Sequence, residues 1–526
     1  MKPFHRLPAW RNAVFSLAYV LAVVSCALRA SRYMKLFSAR LFRLPSLLCL
    51  LSVGLLTVGL IGVGHSSQTW AQRPAELLPV QSGPILEPIR PNKPLKLKWR
   101  VLEGPRTEVF FYGDNEDLGE LTLRFGEDIW RELNKSLEFI PNTKLQLQVY
   151  PNPLAWRRAD WDPEQVRDRN VINTTAAVYY PGSHDQFYRQ IKARAAQLLI
   201  QEILFSGASM VSLQNRVILH LPHWYNWGMA NYLAEGWTPE DEARMRSLTP
   251  EERMEILQSE EVSPRARTIQ KSIWHFVDFR FGRKKISEIL YMTRITRSVN
   301  GGFLSVLGLS KQALTAAWRE FCTDAYKDQR IVLLNRGTTR RLTLGRGNSI
   351  PLAFSASRTG RLVAAVSYKS GQYTLYIYDT RTGQFRSTGV RTKAPQARNL
   401  IEPPGASLCW SPDEAYLAAV MPKGEGQVVV YYSPKRSEAE VVDPSESLDW
   451  INSIDWSPNK KDLVVSACRG GQTDLYLTRK GRTSFKRLTN DPYDDLEPHF
   501  SEDEENTLYF TSNRHDSLAD SYRRID

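Results

Sequence analysis

Few residues of this chain combine a type and a spacing that could do chemistry. Glu202 comes first. It lies on the apolar face of a helix predicted over 187–205, where Ile191, Ala195, Leu198, Glu202 and Phe205 recur at helical spacing. A carboxylate can serve as a general base, but without a metal or a partner it has little to activate. The nearby imidazoles are His184, His220 and His223. His220 and His223 stand three apart around Pro222, which reads as two polar residues on a loop or helix start, with a relocated metal site as the sharper alternative. No Gly-x-Ser-x-Gly occurs, so a serine-hydrolase elbow is set aside. Beyond Cys26 and Cys49, the thiols Cys322, Cys409 and Cys468 are odd in number and have no C-x-x-C spacing, so buried free cysteines are expected. The sequon at Asn173 and the acidic run Glu502–Glu505 read as ordinary surface features.

The elements that must position these groups form an α/β stretch over 96–330. Trp99–Val101 and Glu108–Tyr112 read as strands, Leu118–Ile140 as a helix, and Leu145–Tyr150 as a strand ended by Pro151. Thr249-Pro250-Glu251-Glu252 supplies a cap, a proline at the first helical position and a capping-box acid. Further helices are predicted at about 268–280, 284–296 and 310–326.

A length of 526 residues allows three or four domains, and 42% apolar with 24% charged side chains excludes a mostly disordered chain. Of the net charge of +13, eight units come from residues 1–72, which contain no Asp or Glu; the other 454 residues carry only +5. The electrostatic argument for nucleic-acid binding is therefore lost. Residues 1–72 instead read as an address: Asn12–Leu28 and Leu44–Gly64 are apolar stretches that follow basic residues. Met34 precedes Lys35, Arg40 and Arg43, and Thr69-Trp70-Ala71 approximates a small-x-small cleavage site, so the start is Met1 or Met34. Cleavage after Ala71, retention of Leu44–Gly64 as a membrane anchor, and lipidation at Val23-Val24-Ser25-Cys26 all export the remainder. Six prolines in 73–95 make that segment an extended spacer.

Residues 331–526 change character and repeat. Phe354-Ser355, Trp410-Ser411-Pro412-Asp413, Trp456-Ser457-Pro458-Asn459 and Phe500-Ser501-Glu502-Asp503 follow one another at intervals of 56, 46 and 44 residues. Each precedes a short alternating strand, at Leu362–Ser367, Tyr416–Val420, Leu463–Ser466 and Leu508–Thr511. An aromatic plug, a Ser-Pro-Asp turn and alternating strands are what a propeller blade needs. Arg487-Leu488-Thr489-Asn490-Asp491, Glu497-Pro498-His499-Phe500-Ser501 and Leu508-Tyr509-Phe510-Thr511-Ser512-Asn513-Arg514 resemble the repeat of TolB-like β-propellers. At about 45 residues per blade, 331–526 supplies about four blades, whereas the resemblance implies about six or more. A truncated propeller, stopping in mid-blade, is therefore expected.

The middle region resembles the M1-like zinc metallopeptidases of the peptidase MA family. Those carry His-Glu-x-x-His on a helix, then Pro-Trp-x-x-Glu-Gly-x-Ala, with zinc held by the two histidines and the second glutamate. Here the first motif reads Gln201-Glu202-Ile203-Leu204-Phe205, and the second runs from Pro222 to Tyr232 with Trp227 at the third ligand position. The stretches 272–282 and 318–321 fit the family as well. The resemblance implies a zincin-like scaffold in which Glu202 is a vestigial general base and Gln201, Phe205 and Trp227 are degenerate metal-ligand positions. No metal and no cofactor is expected. Trp224 and Trp227 read most simply as core; with His223 they would alternatively line a groove for peptide or glycan.

The whole then reads as a multidomain exported protein: an address over 1–72, a linker over 73–95, a degenerate metallopeptidase-like α/β (α+β) domain over 96–330 and an all-β propeller over 331–526. Its expected work is binding an envelope protein or peptide in the bacterial periplasm or at the cell surface. It would touch membrane only through an uncleaved N-terminal segment. The alternatives are a metal-dependent peptidase with displaced ligands, a fragment of a longer TolB-like translocation protein, and a non-functional remnant.

Overall fold

A four-stranded sheet opens the described part of the molecule. The computed structural model describes residues 97–158, 175–205, 219, 221–259, 263–327, 349–394, 405–444, 446–501 and 507–514. The address, the proline spacer, Asn173, His220 and 502–505 lie outside the described residues. Strands β1 (Trp99–Glu103) and β2 (Thr107–Tyr112) pair antiparallel, and β2, β3 (Leu145–Tyr150) and β4 (Thr175–Tyr179) pair parallel. Helix α1 (Glu116–Leu137) joins β2 to β3 and buries Leu118, Leu121, Phe125, Ile129 and Leu133, one stripe at helical spacing. An added Cβ at Gly126 would come within 2.6 Å of the Thr107 methyl, so glycine there lets α1 lie close on β2. The helix ends at Leu137 and not at Ile140. Glu138 turns left-handed at φ 51°, and the proline after Ile140 disfavours a helical conformation there.

After the short helix α2 (Pro153–Arg158), the long α3 (His184–Phe205) runs through the interior and buries polar Lys192, Gln197 and Gln201 as well as its apolar face. Helices α4 (His223–Glu235), α5 (Pro239–Ser247), α6 (Pro250–Gln258), α7 (Pro264–Phe281), α8 (Lys284–Thr296), α9 (Val299–Leu307) and α10 (Lys311–Tyr326) follow. The Thr249 and Glu252 capping box forms at the start of α6, and Thr238 with Asp241 makes a second one on α5. Lys271 of α7, fully buried, sits 2.5 Å from Asp241 and 2.8 Å from Glu235. Burial pushes the Asp241 carboxyl up, but the Lys271 ammonium and hydrogen bonds from Lys271, Thr268 and Thr238 outweigh it and hold the group below the usual carboxylate range.

The remainder is blades of a propeller. Three four-stranded antiparallel sheets follow in sequence: β5 (Ile350–Ala356), β6 (Leu362–Lys369), β7 (Gln372–Asp379) and β8 (Gln384–Lys393); then β9 (Ser407–Trp410), β10 (Leu417–Lys423), β11 (Gly426–Ser433) and β12 (Glu438–Val442); then β13 (Trp450–Trp456), β14 (Asp462–Arg469), β15 (Gln472–Arg479) and β16 (Lys486–Arg487). A hairpin, β17 (Asp495–Phe500) with β18 (Leu508–Ser512), stands where a fourth blade begins. The repeated turn has one mechanism: the third residue after each serine is left-handed, at Gly360, Glu414 and Lys460, and its N–H bonds back to the carbonyl of Ser357, Ser411 or Ser457. The two tryptophan plugs work as the repeat predicts. Trp410 joins the apolar cluster that holds Val366 and Leu375 of the first blade and donates its indole N–H to the Ser355 carbonyl at 3.0 Å. Trp456 packs on Tyr431 and Tyr416 of the second. Each buried indole contributes on the order of 2–3 kcal/mol. In the first blade the turn serine is Ser357 and not Ser355, so Ala356 stands where Trp410 and Trp456 stand; Phe354, two residues earlier, is 82% exposed and is not a plug. No helix among the described residues is long and apolar enough to cross a membrane.

Candidate functional site

Helix α3 carries Gln201, Glu202 and Phe205 in its last two turns. The Glu202 carboxylate is engaged at both oxygens: Oε1 accepts the Asn142 N–H at 3.0 Å and Oε2 accepts the Thr143 hydroxyl at 3.3 Å. It therefore anchors the loop between α1 and β3. Burial raises its pKa, and the two hydrogen bonds pull back only part of that rise. Gln201 and Phe205 are buried, and Gln201 Nε2 has no hydrogen-bond partner among the described residues. An amide, a benzyl ring and an indole are not a donor set for zinc, whose ligands are imidazole, thiolate and carboxylate. The residues present do not fit the metal, and no step through it follows. Among the described residues no group of three His, Cys, Asp or Glu stands ready to hold an ion elsewhere.

Trp224 and Trp227 sit in the first turns of α4 and are 7% and 8% exposed. Trp224 packs against Trp274 and Phe303, and its carbonyl accepts the Trp274 indole N–H at 3.0 Å. The Arg194 guanidinium, brought down to about 10 by burial, lies 5.4 Å from the Trp227 ring. A Cβ at Gly228 would strike the Gln270 carbonyl, so α4 is pressed against α7 and the indoles are held inside. The groove that Trp224, Trp227 and His223 would line is not open: the indoles are core, and only His223, at the start of α4, is partly exposed.

The densest polar geometry lies at the other end of α3, where the α/β part meets the propeller. Asp494, just before β17, accepts the His184 N–H at 2.7 Å through Oδ2 and thereby caps α3. Its Oδ1 accepts the Tyr180 hydroxyl at 3.4 Å and lies 3.5 Å from His184 Nδ1. His184 Nε2 is 2.9 Å from the Gly471 carbonyl, and Thr473 and Asn452 both donate to the Gly182 carbonyl, at 2.9 and 3.1 Å. Burial raises the Asp494 pKa, opposed by the His184 ring and by hydrogen bonds from His184, Ser183 and Tyr180. Gly182 is at φ +97°, and a Cβ there would collide with the Asn452 amide, so glycine permits this approach. The apolar core crosses the same seam, taking in Trp450 and Cys468 of the third blade. Sequence reasoning treated His184 only as a spare imidazole and missed Asp494. The signal was the run of acids beside the TolB-like motif, whose other charges are structural: Arg487 pairs with Asp474, and Arg514 with Asp491 and Asp495. This arrangement holds two parts together.

No family model matches the chain, and no curated protein matches it. Solved propellers are similar to part of it. A protein described as a TolB from Agrobacterium tumefaciens is 20% identical, with 30% of this chain and 53% of that one covered and a TM-score of 0.25. TolB from Acinetobacter baumannii is 15% identical over 31% and 41%, also at 0.25. The β-propeller domain of the Trilobed protease from Pyrococcus furiosus is 12% identical over 31% and 53%, at 0.22. The chain thus spans about half the length of these structures. The three repeated sheets, and not these likenesses, carry the propeller assignment.

Proposed function

We propose that the chain is an exported cell-envelope protein that works as a non-catalytic scaffold, a pseudopeptidase domain fixed to a TolB-like propeller. One observation carries this reading. At the positions where a zinc peptidase of the resembled family needs donors, Gln201, Phe205 and Trp227 are buried, and Glu202 spends its carboxylate on a loop. The polar seam around Asp494 supports it, because a rigid joint between two binding parts suits a scaffold. The export segment supports the location. The partner is an envelope protein or peptide. The experiment is capture from envelope extract with the full chain, followed by reconstitution with the purified partner. Stoichiometric retention fits a scaffold; failure to retain any partner counts against it.

A second reading, a fragment of a longer TolB-like translocation protein, is favoured by the exposed Phe354 on β5 and by Tyr509, 59% exposed on β18. Both are surfaces that neighbouring blades would cover. Co-purification of a second polypeptide carrying further blades would support it.

A further inference from the structure

Beside the seam lies a cavity of about 210 Å3, walled on one side by Tyr112, Asn152 and Ala155 and on the other by Gln427, Asp449 and Trp450. It is smaller than the roughly 300 Å3 at which sites for whole small molecules begin, and suits one long side chain. Its amides are already committed. Gln427 exchanges two hydrogen bonds with the Ile451 backbone, at 2.6 and 3.0 Å, and Asn152 Oδ1 accepts the N–H groups of Leu154 and Ala155. Asp449 differs. One of its oxygens accepts the Gly470 N–H at 2.7 Å, and the other has no hydrogen-bond partner among the described residues. Glu425 also lines the cavity, and no lysine or arginine does. Burial pushes the Asp449 carboxyl up, with the Gly470 N–H and Arg469 only partly offsetting it, and burial, helped by the Asp449 charge, raises the Tyr112 hydroxyl to about 12.

We propose that this cavity receives an arginine side chain of a partner peptide, its guanidinium on Asp449 and its plane against the Tyr112 ring. A planar fork fits a carboxylate beside an aromatic face better than a compact ammonium does. The peptide partner rests on the scaffold reading, but the pocket is tested separately.

The probes are N-acetyl-arginine methylamide and its neutral citrulline isostere, titrated calorimetrically into the full chain at fixed ionic strength. The arginine compound binds saturably, and the citrulline compound and Asp449→Asn each weaken binding by about tenfold or more. Asp449→Asn relieves a buried charge, so it is expected to fold. Gly426→Leu gives an independent check, since a Cβ at this lining position meets nothing within 4 Å and the added side chain fills the space with Asp449 intact. It too is expected to abolish binding. Equal binding of the two compounds, or undiminished binding by either variant, overturns the pocket. A chain that captures an envelope partner yet ignores the arginine probe overturns the pocket and leaves the scaffold standing.

Discussion

Asp494 and His184 are 310 positions apart, yet the carboxylate of one caps the helix that begins with the other, at 2.7 Å. The helix that carries Glu202 is thus started by a propeller residue.

Replacing Asp494 by alanine leaves the His184 N–H short of an acceptor in a buried seam, while the Tyr180 hydroxyl keeps its contact with Thr473 Oγ1 at 3.0 Å. We expect a loss of about 2–3 kcal/mol, read by urea unfolding, while Asp494→Asn, which keeps an acceptor, loses under about 1 kcal/mol. In calorimetry the alanine variant separates into two transitions, because the seam no longer couples the parts.

Lys271 neutralises two acids in the interior. Lys271→Met strands Asp241 and Glu235 and is expected to cost about 3–5 kcal/mol at neutral pH. The pH dependence has a definite sign. The folded pKa of Asp241 is lowered, so its contribution is present above the unfolded pKa of about 3.9 and is lost as pH falls through the folded value. In the variant that contribution is gone, and the deficit shrinks as acid protonates the stranded carboxyls. Unfolding at several pH values checks this.

How much of this was legible in the sequence depends on distance along the chain. The 187–205 helix, the capping box at Thr249 and the turns at Ser411 and Ser457 are local devices, so their residues announced them, whereas the first blade turns at Ser357 and not at Ser355. The end of α1 was misplaced by three residues because apolar Ile140 continued the pattern, although it is 86% exposed. The Asp494 seam was invisible, since nothing local links residues 184 and 494. Burial of Trp227 was the simplest reading of the sequence, but the close approach of α4 to α7 that Gly228 permits was not legible.

A buried and an exposed aromatic of the blades make a contrasting pair of experiments. Trp456→Ala removes a buried wedge and is expected to cost about 3–5 kcal/mol. Phe354→Ser, on the exposed face of β5, is expected to change stability by less than about 0.5 kcal/mol and to reduce self-association. Denaturation and light scattering read both.

Glu202 is predicted to be a loop anchor. Glu202→Ala should cost about 1 kcal/mol by releasing Asn142 and Thr143. Its folded pKa is raised, so its charge disfavours folding as pH rises through that value, and Glu202→Gln should be neutral or stabilising at pH 7. Thermal unfolding of both variants decides.

The most direct measurement is the metal content and peptide hydrolysis of the purified full-length chain. A non-catalytic scaffold predicts zinc far below one ion per chain and no chelator-sensitive hydrolysis. Stoichiometric zinc, with hydrolysis lost on chelation and in Glu202→Gln, would contradict it.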